Sequence, residues 1–304
     1  MRTRLVGLAV VVLAIALGIA VGAGPLQHDS GQRERDAKAQ AAQLQSARRQ
    51  VAALAAEARA ATRYDDATAV TAVKGTLTGH DVALVALPGA DPQTLIALRS
   101  LVAAAGGSVT ADVALGAPMA TVSSRQLVEA LTSQMATQAQ LVVPASSDGY
   151  QRFGLLLARA IGVPPSSHIV GATYDPAALA IMAGFQTAGL VTSTKVTTRA
   201  ALVLVVTGPA ARSADAAAEN AIPVSFLRAM SGQVAAVVAG PGSAAGALGI
   251  IGSLRSGSPG LSTVDGAELA RGRVAAVLAL AARTRNVVGD YGSIGRVTGP
   301  IPPS

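Results

Sequence analysis

The sequence contains no cysteine, which excludes disulfides, thiolate metal sites and cysteine nucleophiles. It contains no tryptophan, four tyrosines and three phenylalanines, a poverty that argues against the aromatic girdles of a membrane barrel and the stacking platforms of a nucleic-acid binder. Histidine is scarce as well: His28, His80 and His168 stand far apart, so no imidazole cluster can be read from spacing. Charge is thin, at 13% of residues against about 25% in ordinary soluble domains. Long apolar runs are missing too, with one exception at the start of the chain.

That exception is Leu5–Gly24 (LVGLAVVVLAIALGIAVGAG), preceded by Arg2 and Arg4. Its twenty residues, at about 1.5 Å each, make a helix of about 30 Å, the thickness of a bilayer's hydrocarbon core. The expectation is a four-residue tail (1–4) and one transmembrane helix (5–24) in contact with membrane lipid. A cleaved signal peptide has a shorter apolar region, and Pro25 poorly suits a first mature position. Arg2, Arg4 and the terminal amine favour a cytoplasmic N-terminus and an extracytoplasmic body. Residues 1–63 hold nine Lys/Arg against four Asp/Glu, and the remainder fifteen against thirteen. The basic character therefore sits beside the membrane, where anionic lipid is a nearer partner than nucleic acid.

Residues 25–74 read as a helical stalk. From Gln32 to Arg63 the chain is rich in Ala, Gln, Arg and Glu and contains neither Gly nor Pro. Leu44, Ala47, Val51, Leu54, Ala58 and Ala61 fall at alternating three- and four-residue steps, the seam of a short coiled coil. The expected partner is a second copy of the chain.

Residues 75–290 alternate apolar runs with helical segments. Asp81–Leu87 reads as a buried strand. Asp91 caps a helix through Ala105 with Pro92 at its first position, and Ser108–Leu115 reads as the next strand. Further strands are expected at Ile169–Ala172, Leu202–Thr207, Val234–Ala239 and Leu261–Val264. Helices are expected near Ser123–Ala136, Tyr150–Ile161, Pro176–Ala188, Ala214–Met230, Ala244–Arg255 and Arg273–Arg285, with Pro223 breaking or kinking the fourth. Continuous apolar strands between helices predict an α/β class, a mostly parallel sheet layered between helices. Segment 144–167 is a possible lobe boundary, and 291–304 reads as a flexible tail.

The closing run LSTVDGAELARGRVAAVLALAARTRNVVGDYG (Leu261–Gly292) resembles the same region of the actinobacterial copper-transporter family of the mycobacterial MctB type. DVALVALPGAD at 81–91, AAAGGSVTADVAL at 103–115 and LVLVVTG at 202–208 resemble it too, and STVD followed by GRVAAVLAL is the most specific piece. The resemblance implies an envelope protein of copper homeostasis, described for the family as an outer-membrane channel. It also implies a second possibility from corynebacterial relatives, a membrane-anchored scaffold in cell-envelope assembly or division.

The residues weigh these implications differently. Copper(I) prefers sulfur ligands, yet Met119, Met135, Met182 and Met230 form no spaced motif and read as packing residues. Copper is thus implied by the family alone, and no other cofactor is expected. A barrel needs alternating strands of about 9–11 residues, which these are not. GPGSAAG (Gly240–Gly246) places Gly240, Gly242 and Gly246 as a G-x-G-x-x-G after a strand, with Asp265 near the ribose-binding position. Pro241 removes one amide from that loop, and the motif falls late in the domain. The expectation is a non-enzymatic protein that docks an envelope partner, with a nucleotide-binding enzyme as the alternative.

Overall fold

The computed structural model describes residues 30–165, 172–211, 215–257 and 260–303. The expected tail (1–4) and transmembrane helix (5–24) lie outside these residues. Among the described residues no helix is long and apolar enough to cross a membrane. The chain divides into two units, one up to Tyr64 and one from Asp65 onward.

A single long helix, α1 (Ser30–Val73), carries the stalk sequence from Ser30 onward, residues 25–29 of the expected stalk lying outside the described residues. Its strong helix formers run without Gly or Pro until Gly75, which terminates it with φ +76°. From residue 35 to Tyr64 its side chains are exposed or half-buried.

The body begins with β1 (Asp81–Ala86), every residue of which after Asp81 is buried. β1 is flanked on both sides by parallel partners, β2 (Ser108–Leu115) and β6 (Leu202–Val206). The continuous Val/Leu/Ala runs of such strands fit a sheet covered on both faces. Between β1 and β2 runs α2 (Pro92–Ala104), where the Asp91 carboxylate accepts from the Thr94 amide at 2.9 Å. The remaining elements are α3 (Arg125–Gln138), α4 (Gly149–Ile161), β3 (Ala172–Thr173), α5 (Pro176–Thr187), β4 (Val191–Val196), β5 (Thr198–Arg199), α6 (Ala216–Ser231), β7 (Ala235–Ala239), α7 (Ile250–Arg255), β8 (Ser262–Val264), α8 (Ala270–Arg283) and β9 (Asp290–Tyr291).

Seven strands form one sheet in the order β4-β2-β1-β6-β7-β8-β9, parallel except for the antiparallel edge strand β4, and β3 pairs with β5 separately. This is the expected mixed α/β body with a mostly parallel sheet. On one face lie α2, α8 and Ala69 and Val73 from the last turns of α1. On the other face α3 to α7 bury a larger core that includes Met119, Met135, Met182 and Met230. All three phenylalanines meet there: the Phe153 ring lies 4.6 Å from Phe185 and 5.6 Å from Phe226.

Several local expectations need correcting. Helix α6 runs on through Pro223, so of the two expectations for that proline the break is not met. The expected helix Ala244–Arg255 is divided into a 3-10 turn (Gly242–Ala245) and α7, because Gly246 and Gly249 intervene. The expected strand Ile169–Ala172 is described only from Ala172, as part of the small second sheet. Stretch 144–167, the candidate lobe boundary, carries α4, whose Phe153, Leu156, Leu157 and Ile161 are fully buried. In the stretch expected to be a flexible tail, Tyr291 pairs with Val264 of β8 and Gly292 donates to the Gly299 carbonyl.

Candidate functional site

The order of the parallel strands sets the place to look. From β1 the chain crosses to β2 on one side, and later returns to β6 on the other. Crevices in open α/β sheets form outside the carboxyl ends of strands at such a reversal. Here those ends are Leu87-Pro88-Gly89 after β1 and Thr207-Gly208-Pro209 after β6. The Leu87 amide still donates to the Val206 carbonyl at 2.9 Å, which holds the two ends side by side.

The crevice is narrow because two glycines meet across it. Gly89 has φ +83°, and a Cβ on Gly208 would lie 2.5 Å from the Gly89 carbonyl oxygen. The loops therefore touch through their backbones. What remains is a recess of about 120 Å³ on the α6 side, walled by Leu87, Met119, Thr207, Asn220, Pro223 and Phe226, with Pro209 and Ile250 among its other lining residues. Its polar groups are engaged locally: the Thr207 hydroxyl reaches the Gly208 carbonyl at 3.3 Å, and the Asn220 amide donates to the Leu248 carbonyl. The walls are mainly apolar, and Glu219 also lines the recess.

Metal chemistry finds no ready constellation there. Among the described residues no group of three His, Cys, Asp or Glu side chains could hold a metal ion. His80 precedes β1, at the end of the sheet opposite the recess, and His28 and His168 lie outside the described residues. Met119, Met135, Met182 and Met230 are at most 6% exposed. Their thioethers fill the core, as expected for unbranched side chains in irregular gaps.

Gly240, Gly242 and Gly246 follow β7, where the motif requires them. The Gly242 amide, however, donates to both oxygens of the Glu268 carboxylate, at 3.2 and 3.0 Å. The amides of Ala244 and Gly246 donate to Pro241 and Ser243. Donors that could cradle a phosphate are thus engaged, and a carboxylate stands where an anion would approach. Asp265 lies at the end of the neighbouring strand, since the Gly240 carbonyl accepts from the Ala267 amide at 2.9 Å.

Asp265 has partners of its own. Its side chain is 1% exposed and sits 3.0 Å from Arg255 Nη1, on a side chain 5% exposed. It also accepts from the amides of Ser293 and Ile294 at 3.0 and 3.2 Å. Arg255 reaches onward to the Thr263 hydroxyl and the Tyr291 carbonyl, at 2.9 and 2.8 Å, and to the Ile294 carbonyl. Thr263 in turn donates to Asp290 at 2.7 Å, and the Ser262 hydroxyl accepts from the Gly289 amide at 3.3 Å. Three residues of STVD, the segment most specific to the resemblance, thereby fasten residues 289–294 to the sheet. Sequence reasoning missed Arg255 and Ser293. A lone arginine ending a short apolar helix, ten residues before an acid, was the available signal.

A second polar cluster pins the start of α5. Asp175 caps the Ala178 amide at 2.8 Å, while Arg159 and Arg199 reach its other oxygen at 2.6 and 3.6 Å. Burial pushes the Asp175 carboxyl upward, but the amide and the two guanidinium groups outweigh it and hold the carboxyl below its ordinary range. Beside it, burial raises the Tyr174 phenol well above its ordinary value. Asp65 and Asp66 lie 3.9 and 3.5 Å from Arg271 and Arg273. The seam residues Leu44, Ala47, Val51, Leu54, Ala58 and Ala61 all lie on α1.

A family model described as "Copper transport outer membrane protein, MctB" matches residues 1–302 of the chain. Comparison with curated proteins finds no match.

Proposed function

Because the chain belongs to the MctB family of copper transport outer membrane proteins, which ties it to copper transport at the cell envelope, we propose that its body docks a protein partner in that process and does not itself conduct the ion. In this reading residues 5–24 hold the protein in a membrane, the body lies outside the cytoplasm, and the body has no catalytic step of its own. The supporting observation is the sheet. It is open, with edges at β4 and β9, and both of its faces are packed under helices. A conducting barrel needs one face against lipid and the other lining water, and neither face of this sheet is available for either.

The recess at the carboxyl ends of β1 and β6 is the natural docking point. Its lining is mainly apolar, with Glu219 and Asn220 among the polar residues, and Pro209 on its rim is exposed. The test pairs two measurements on the purified chain. Capture of one specific envelope protein, lost on Pro209→Arg, supports docking. Copper-dependent conductance in planar bilayers that survives deletion of residues 1–63 refutes it. The scaffold alternative shares the docking step and differs in its consequence: loss of the protein would then leave cellular copper unchanged while altering cell separation.

A further inference from the structure

Among the described residues nothing covers one face of the long helix. Leu44 and Leu54 are 41% and 61% exposed, and with Ala47, Val51, Ala58 and Ala61 they form one continuous stripe on α1. The residues through which the last turns of α1 enter the body core, Ala69 and Val73, are not members of that stripe. The residues flanking it place no repulsion in the way of a second copy. On the heptad that the stripe defines, Gln43, Gln50 and Glu57 border one side and Arg48, Ala55 and Thr62 the other. In a parallel, in-register pair Gln43 of one copy faces Arg48 of the other, Gln50 faces Ala55, and Glu57 faces Thr62. No like charges are opposed. Arg49 and Arg63 take the outermost position and Arg59 lies beside it, so three of the four arginines between residues 44 and 63 stay in water.

We propose that the protein is a homodimer joined through a parallel, in-register coiled coil over residues 44–61 of two stalks. Three alanines in the stripe let the helix axes approach closely but bury little surface, so the pair is weak alone. Orientation rests on the membrane reading above: both helices start from an apolar run on the same side, which makes them parallel. Confinement to one membrane raises the local concentration of the second copy to the order of millimolar, enough to populate a weak seam.

The absence of cysteine makes the test clean. Single variants Leu44→Cys, Leu54→Cys, Ala61→Cys and Ala56→Cys of the full chain are treated with a short bis-maleimide in native membranes. Cross-linked dimer is expected at positions 44, 54 and 61, at least tenfold above the outward-facing position 56. Equal yields at 54 and 56, or cross-links to another protein in place of the second copy, overturn the proposal. Yield at 54 without yield at 44 and 61 overturns the parallel register. As a second measurement, adding Leu54→Glu to the Ala61→Cys variant in native membranes is expected to cut the dimer cross-link at least tenfold while the thermal unfolding of the body is unchanged; a cross-link that persists at its original yield overturns it.

Discussion

Replacing Asp265 with alanine strands Arg255 in the core. The arginine side chain is 5% exposed, and Asp265 is its nearest carboxylate, with Asp290 4.0 Å away. Removing one member of a buried pair costs about 3–5 kcal/mol, because the remaining charge is left without compensation. The same change deprives the Ser293 and Ile294 amides of their acceptor, so the loop after β9 detaches as well. With a urea dependence of roughly 2–3 kcal/mol/M, the unfolding midpoint of the full chain should fall by about 1–2 M, followed by circular dichroism. Limited proteolysis should cut first within residues 292–299. The double replacement Arg255→Met with Asp265→Leu removes both charges and should lose less than the single variant. A loss below about 1 kcal/mol for Asp265→Ala, or a double variant worse than the single, would refute the assignment of Asp265 to this network. A residue kept free for a ribose would behave in that way.

Two further outcomes follow from the contacts described. Gly208→Ala should lower the melting temperature by an amount equivalent to about 1–3 kcal/mol, because its Cβ would lie 2.5 Å from the Gly89 carbonyl oxygen; differential scanning calorimetry reads this directly. Asp175→Ala removes a helix cap and should cost about 0.5–2 kcal/mol near neutral pH. The folded carboxyl titrates below its ordinary value, so its contribution is present above the unfolded value of about 3.9 and is lost as pH falls through the lower, folded value. Urea midpoints of the native chain and the variant should therefore converge in acid.

The elements legible in the sequence are those specified by neighbours in the chain. β2 spans Ser108–Leu115 as read, and α2 starts at its Asp91-Pro92 signal. Polar VTSTKV carries no apolar run, because an edge strand is hydrogen-bonded on one side only; β4 is defined by its antiparallel pairing with β2. β9 is two residues long and exists through its partner β8. The spacing of Gly240–Gly246 is visible in any reading, but the carboxylate that takes the Gly242 amide arrives from the next loop, at Glu268. Likewise Arg255 and Asp265 meet because α7 ends beside the carboxyl end of β8. The recess is a product of strand order, set by the pairing of Val82 with Leu202, which no local pattern announces.

The position of β1 has a consequence for biosynthesis. It is the first strand to be made, yet it sits inside the sheet, and its second neighbour arrives about 120 residues later. Until β6 is synthesised, one side of β1 exposes unpaired amides and carbonyls, a long-lived opening toward mispairing. Completion waits longer still at the far edge, where Arg255 depends on acceptors supplied by Asp265, Tyr291 and Ile294. A chain interrupted after Gly289 would carry an arginine poised in the core with two of its carbonyl acceptors never made. Holding such a chain unfolded until its last strand arrives is the demand this topology places on the machinery that produces it.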